Sequence, residues 1–164
     1  GKSKRWNVEL EVTLPLDWLT APVGITGIEA KYIGHYHDSK VTDPVTGLNR
    51  RMSNRPLWHQ QWDIRYDVAD LGLVYGASFN VQEANYAYFF NEIRRQREGT
   101  RSTIFIEYTK FSLGTLRFEV TDMAGFHRDR FIYAGTRALG GLDQIVNRKR
   151  SLDPLLQLTL SGKF

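Results

Sequence analysis

The chain has 164 residues, 41% of them hydrophobic and 24% charged, which bounds it to one domain or a piece of a larger one. No stretch approaches the roughly 20 apolar residues that a membrane-spanning helix needs. Lys and Arg number 22 against 18 acidic residues, a net charge of +4, and the absence of Cys excludes a disulfide framework and thiol chemistry.

The first element is announced by strict alternation. In Trp6-Asn7-Val8-Glu9-Leu10-Glu11-Val12-Thr13-Leu14 every even position is apolar and every odd one polar, which is the period of a strand and would scatter around a helix. The stretch 25–38 is less regular, with Ile28, Ala30, Tyr32 and Tyr36 opposing Glu29, Lys31, His35 and His37. Trp58, Gln60, Trp62, Ile64, Tyr66 and Val68 share one face against His59, Gln61, Asp63, Arg65 and Asp67. Leu73, Tyr75, Ala77, Phe79 and Val81 oppose Gly76, Ser78, Asn80 and Gln82. Ile104, Ile106 and Tyr108, then Leu116, Phe118 and Val120, and last Leu156, Leu158, Leu160 and Phe164 continue the series. These patterns predict an all-β chain of about seven strands and no helix. Residue 1 is Gly rather than Met, which predicts a removed leader or a start inside a longer product.

The connections alternate in length. Short ones are expected at 15–24, 69–72 and 112–114, and long ones at 39–55, 87–100 and 124–149. Tight turns at one end and long loops at the other describe a transmembrane antiparallel up-and-down β-barrel, with periplasmic turns and extracellular loops. A soluble lipocalin-like lipid-binding barrel also alternates, with its apolar residues inward. Three features favour the membrane barrel. Strands of about ten residues, tilted near 45°, cover roughly 24 Å, close to the apolar band of such barrels. Across six of the strands the apolar face carries no charge at its centre, where Arg or Lys toward lipid costs about 2–4 kcal/mol. Trp6, Trp58, Trp62, Tyr66, Tyr75, Tyr86, Tyr88 and Tyr108 lie largely toward strand ends, where amphipathic rings favour a membrane interface.

The last segment, Leu156 to Phe164, resembles the terminal signal by which outer-membrane barrels are recognised by the barrel-assembly machinery. Leu156, Leu158, Leu160 and Phe164 fill its apolar positions, while Gly162 stands where a hydrophobic residue is usual. An odd count of seven predicts the tail of a larger barrel, since bacterial single-chain barrels have even counts. The run Val8 to Leu16, the segment Val41-Thr42-Asp43-Pro44-Val45-Thr46-Gly47 with Arg50-Arg51 and Arg55-Pro56, and Leu116 to Met123 with Arg128-Asp129-Arg130 and Tyr133 are similar to TonB-dependent outer-membrane receptors. That resemblance covers residues 1–164 as the last seven strands of a 22-strand barrel. It implies an outer-membrane receptor and transporter for TonB-energised uptake of a scarce ligand such as a siderophore, cobalamin or sugar. The family's plug and TonB-contacting segment would lie upstream of residue 1. A small complete outer-membrane barrel with a structural or adhesion role is a second reading, in which 126–133 turns back as a hairpin to supply an eighth strand. The soluble lipid-binding barrel is a third.

No catalytic or cofactor arrangement emerges: there is no nucleophile elbow, phosphate-cradling Gly loop or zinc spacing. The chain is therefore not expected to be an enzyme, and no cofactor or metal is expected. His35 and His37 share a strand face but lack a third ligand in the sequence. Arg50, Arg51, Arg94, Arg95 and Arg97, expected in extracellular loops, could contact an anionic ligand or lipopolysaccharide phosphates, because Arg grips such groups bidentately. Tyr88 and Asn91, in the run Tyr-Ala-Tyr-Phe-Phe-Asn-Glu at 86–92, complete the candidate ligand site. Asp63–Arg65 and Arg117–Glu119 are expected as ion pairs within the lumen. The basic clusters fall between strands rather than on one face among stacking aromatics, which disfavours nucleic acid as a partner.

Overall fold

The computed structural model describes residues 3–122 and 124–162, and nearly all of its regular structure is strand. In chain order the strands are β1 (Ser3–Pro15), β2 (Ile28–Thr42), β3 (Asn49–Arg50), β4 (Trp58–Val68), β5 (Leu73–Gln82), β6 (Asn85–Tyr88), β7 (Glu92–Glu98), β8 (Arg101–Phe111), β9 (Gly114–Asp122), β10 (Phe126–Tyr133), β11 (Leu142–Arg150) and β12 (Leu155–Ser161). One helix, α1 (Asp17–Thr20), and a 3-10 turn at Ala21–Val23 fill the first connection, so the expectation of no helix is corrected by four residues. Asp17 fixes this corner by accepting the Gly27 amide at 2.7 Å.

The seven alternating segments lie side by side in one antiparallel sheet, in the order β1-β2-β4-β5-β8-β9-β12, with β3 added beside β2. The sheet is open: β1 and β12 are its edges, and no closed barrel forms among the described residues. Along most of their length the pairings place apolar beside apolar on one face, with exceptions toward the strand ends such as Trp6 against Asp38 and Phe79 against Ser102. Leu10 lies against Gly34 and Val12 against Tyr32, Trp62 against Phe79, Ala77 against Ile104, Ile106 against Phe118, and Phe118 against Leu158. Because side chains alternate with period two, one register fixes the whole face. The consequence is unusual for a chain this long. Its only buried hydrophobic side chains among the described residues are Val74 and Ala87, while Leu158 is 68% exposed and Ile104 63%. There is no conventional core.

The long connections are not the bare loops expected. β2 runs on to Thr42, β6 and β7 occupy most of 87–100, and β10 and β11 most of 124–149. Phe126 to Tyr133 does turn back, into β11, but the pair does not add an eighth wall strand. It belongs to a second sheet, β11-β10-β7-β6. That sheet continues the first. Glu98 faces Phe126 and Ser102 faces Asp122, so both strands advance four residues between the two sheets. Asn80 faces Arg101 and Asn85 faces Gln96, five residues on each side. Thr121 faces Leu155 and Phe126 faces Arg150, again five on each. The register therefore passes unbroken through the gap, where Gly99 still donates to the Gly125 carbonyl at 3.1 Å.

The gap has local causes. Ala124 takes a positive φ of 39° and donates its amide to the Asp122 carboxylate at 2.9 Å, Pro154 has no amide to give the ladder, and Gly125 lies so close to the neighbouring strand that a Cβ would meet the Arg150 carbonyl oxygen at 2.0 Å.

The polar face is held by charge and by one aromatic contact. Arg117 bonds Glu107 at 2.7 Å and Glu119 at 2.8 Å, and Lys31 bonds Glu11 at 2.6 Å. The expected Arg117–Glu119 pair is present, but Asp63–Arg65 is not: Gln61 donates to Asp63 at 2.8 Å, and Arg65 approaches Glu107 at 3.7 Å instead. Adjacent carboxylate and guanidinium groups at i and i+2 compete with cross-strand neighbours at similar range. The Arg117 guanidinium lies 3.7 Å from the Phe105 ring centroid, and that ring fills the space above Gly76, where a Cβ would sit 2.3 Å from it. Gly76→Ala must displace the ring, so a loss of about 1–3 kcal/mol is expected in denaturant unfolding. The same substitution in a Phe105→Leu background should cost less than half as much; an equal cost in both backgrounds would mean that the ring contact is not the reason for glycine.

Candidate functional site

Beyond the gap, three connections meet at one carboxylate. After β2 the chain turns at Asp43, whose Oδ1 accepts the Val45 amide at 2.8 Å and the Thr46 amide at 3.3 Å. This is the Asx geometry that Asp favours before Pro and Gly. Asp43 Oδ2 accepts Arg50 Nε at 2.6 Å, and Arg137 from the β10–β11 connection donates to both oxygens at 2.9 and 2.8 Å. Arg137 also donates through Nε to the Phe89 carbonyl, and its amide donates to the Phe90 carbonyl at 3.1 Å. Asp43 is 1% exposed. Burial pushes its carboxyl up, but the bonds from Arg137, the Val45 amide, Arg50 and the Thr46 amide outweigh that and hold it at about 2. The Tyr88 ring completes the cluster, with the Arg50 guanidinium 4.5 Å and that of Arg137 5.6 Å from its centroid.

Of the expected ligand residues, the structure brings Arg50 and Tyr88 together here and disperses the others. Arg51 forms a two-point bond to Glu83 at 2.9 and 3.3 Å, and Glu83 also accepts the Leu57 amide at 2.8 Å. The Arg51 bond is the main reason that the Glu83 carboxyl lies below its ordinary range. Asn91 contributes its carbonyl to the Tyr133 amide at 2.9 Å while its side chain is exposed.

Arg94, Arg95 and Arg97 are in strand β7 rather than a loop, which corrects the sequence expectation. Period two therefore splits them between faces. Arg94 shares Glu92 with Arg130, at 3.2 and 2.7 Å. Arg97, on the other face, reaches Asp129 at 3.5 Å beside His127. The Nε of Arg95 is buried without a partner. Most of these guanidiniums are thus already answered by carboxylates. The sequence reading missed Asp43, Glu83, Glu92, Asp129 and Arg137, and the Asp43-Pro44…Gly47 turn was the one signal that pointed to any of them.

Two hollows open beside the gap. One, of about 330 Å³, lies in the gap itself and is lined from both faces, by Arg97, His127 and Lys149 and by Glu98, Phe126 and Arg150. The other, of about 220 Å³, is lined mainly by polar-face residues, His59, Asn80, Gln82 and Arg101, with Glu98 and Gly99 common to both. Further along that face His35 stacks on His37 at 6.1 Å and on His59 at 5.8 Å. The rings are nearly parallel, so their in-plane lone pairs do not converge, and no group of three His, Asp or Glu among the described residues is placed to hold a metal ion.

Of the expected assembly signal, Leu156, Leu158 and Leu160 lie on β12 on the apolar face; Phe164 lies outside the described residues. No family model, curated protein or solved structure matches the chain.

Arg137→Ala leaves the Asp43 carboxylate buried with one guanidinium fewer, a loss on the order of 3–5 kcal/mol for such a pair. Hydrogen exchange at the Val45 and Gly47 amides should speed accordingly, and unchanged protection would show that Arg137 does not hold the turn. Because the folded pKa of Asp43 is lowered to about 2, its contribution is complete above the ordinary carboxylate pKa. That contribution is lost only as pH falls through about 2. Amide protection in this turn should be flat from pH 5 to 8.

Proposed function

We propose that this chain is the C-terminal wall of an outer-membrane β-barrel that belongs to a TonB-dependent uptake receptor, with lipid outside and a polar channel within. The observation that carries the reading is the single apolar face of seven strands, exposed in the absence of any core. Apolar faces this large are covered in stable proteins, and here lipid is the cover that needs no second layer of protein.

Several further observations support it. β9, at nine residues, rises roughly 22 Å when tilted by 45°, near the ~25 Å apolar band of such barrels. With their continuations the wall strands rise much further, and in this reading the second sheet and the Asp43 cluster lie on the outer side. The polar face carries Glu11, Lys31, Glu107, Arg117 and Glu119, already paired, as a hydrated lumen allows. In this reading the chain binds and passes a ligand rather than transforming it. On the same reading the hollow lined by His59, Asn80, Gln82 and Arg101 faces the channel, and the outer connections clamped by Asp43 form its rim. Outer-membrane lipid, lipopolysaccharide and the barrel-assembly machinery are the partners that follow, with TonB engaged through upstream sequence.

The test is the orientation of the wall. Ile104→Arg places a charge on the apolar face and should destabilise the protein in lipid by about 2–4 kcal/mol. Ser78→Lys, on the polar face beside Asp63 and Glu119, should be tolerated to within ~1 kcal/mol. The reverse ranking would place the apolar face inward and favour a soluble lipid-binding barrel. A protein that stays dispersed without detergent would contradict the membrane reading outright.

A further inference from the structure

Where the register crosses the gap, the outward face changes its chemistry over six to eight residues. On the wall side it presents Val120, Leu156 and Leu158. On the far side the same face of β7, β10 and β11 presents Arg94, Arg128, Arg130, Arg148 and Arg150, against only Glu92 and Glu98. Glu92 is taken by Arg94 and Arg130. Glu98 accepts Gln96 Nε2 at 3.3 Å and lies on β7, with β10 between it and Arg150.

That leaves three arginines without a carboxylate. Arg128 and Arg148 are direct cross-strand partners, and Arg150 is two residues from Arg148 on the same face, opposite Phe126. Like charges placed directly opposite destabilise a sheet. The only acceptor for Arg128 is neutral: its Nε and Nη2 both bond Gln96 Oε1, at 3.1 and 2.6 Å. Its guanidinium also lies 5.1 Å from the Phe126 ring centroid. Arg148 and Arg150 are exposed, with no ion pair or side-chain hydrogen bond among the described residues. An unneutralised arginine cluster at the edge of an apolar surface is matched by one kind of ligand, an anion tethered to hydrocarbon.

We propose that Arg128, Arg148 and Arg150 form a binding site for the phosphate of an anionic lipid headgroup, with the acyl chains of that lipid lying along Leu156, Leu158 and Val120. The inference rests on the membrane reading given above. Guanidinium groups offer paired donors that match phosphate oxygens, and the phosphate relieves the Arg128–Arg148 repulsion. Arg50, Arg51 and Arg97 cannot serve in the same way, because Asp43, Glu83 and Asp129 already hold them. The anion is a membrane lipid and not a free phosphate, because the site is open on a flat strand face and gains its second half from hydrocarbon contact.

The experiment uses the full-length protein extracted from its source membranes in a neutral maltoside detergent. Heat unfolding is followed as the micelles are doped with bis-phosphorylated lipid A, with dephosphorylated lipid A, or left undoped with inorganic phosphate in the buffer. The wild type should gain stability with the phosphorylated lipid alone. The variant Arg128→Gln/Arg148→Gln/Arg150→Gln should be at least as stable as the wild type in undoped micelles, since the Arg128–Arg148 repulsion is gone, with its affinity for the phosphorylated lipid lower by roughly tenfold or more. Arg94→Gln, at an arginine already paired, should keep most of the effect.

An equal gain in the triple variant would overturn the site while leaving the barrel intact. An equal gain from inorganic phosphate, or from the dephosphorylated lipid, would overturn the lipid-phosphate assignment. If the wild type needs no detergent, the membrane reading fails first and is identified as the cause. If the triple variant does not fold, the three single variants carry the comparison, each with a smaller loss, and no loss in any of them would overturn the proposal.

Discussion

Burial of apolar surface is the largest favourable contribution to folding, and this chain has almost nowhere to make it. Two hydrophobic side chains are buried among the described residues, while Trp6, Leu10, Trp62, Phe79, Ile104, Phe118 and Leu158 stand out on one side of a single sheet. Everything else in the structure is consistent with that side being covered from outside. The opposite side carries several of its charges in pairs, among them Lys31 with Glu11 and Arg117 with Glu107 and Glu119. The strands keep one register over their whole length, since a slip of one residue would turn the apolar face inward and the ion pairs outward.

The gap between the two sheets is where this arrangement changes over. Below it the outward face is apolar; above it the same face is charged, and ion pairs with a single carboxylate clamp take over from hydrocarbon as the source of order. Asp43 is central to that upper region because one buried carboxylate ties together turns that lie far apart in sequence. Arg137 is 94 residues from it. A cluster held in this way keeps its ion pairs at any pH above that of strong acid.

Much of the wall was legible in the sequence because alternation is a local signal and each strand carries its own. Trp6 to Leu14 or Trp58 to Val68 would read as strands in isolation, and their faces follow from parity. The second sheet was not legible, for a physical reason. In Glu92-Ile93-Arg94-Arg95-Gln96-Arg97-Glu98 both faces are polar or charged, so no alternation marks the strand, and the same holds for Leu142 to Arg150. Their strand character comes from register imposed by the neighbouring hairpins. The expected ligand arginines failed for a related reason. Their positions were clear, but their partners (Asp43, Glu83, Glu92 and Asp129) are set by pairing across strands and between connections, which sequence spacing does not give.

The central claim is that the apolar face meets lipid and the polar face meets water. The chain has no Cys, so single cysteines carrying a nitroxide can be placed at Ile104, Phe118 and Leu158 and, for comparison, at Thr103, Glu119 and Thr159 in the protein reconstituted in bilayers. Collision with oxygen, which concentrates in hydrocarbon, is compared with collision with a water-soluble nickel complex. The account predicts high oxygen and low nickel accessibility at the first three positions and the opposite ratio at the other three. The same ratio at all six, or a reversed pattern, would contradict it.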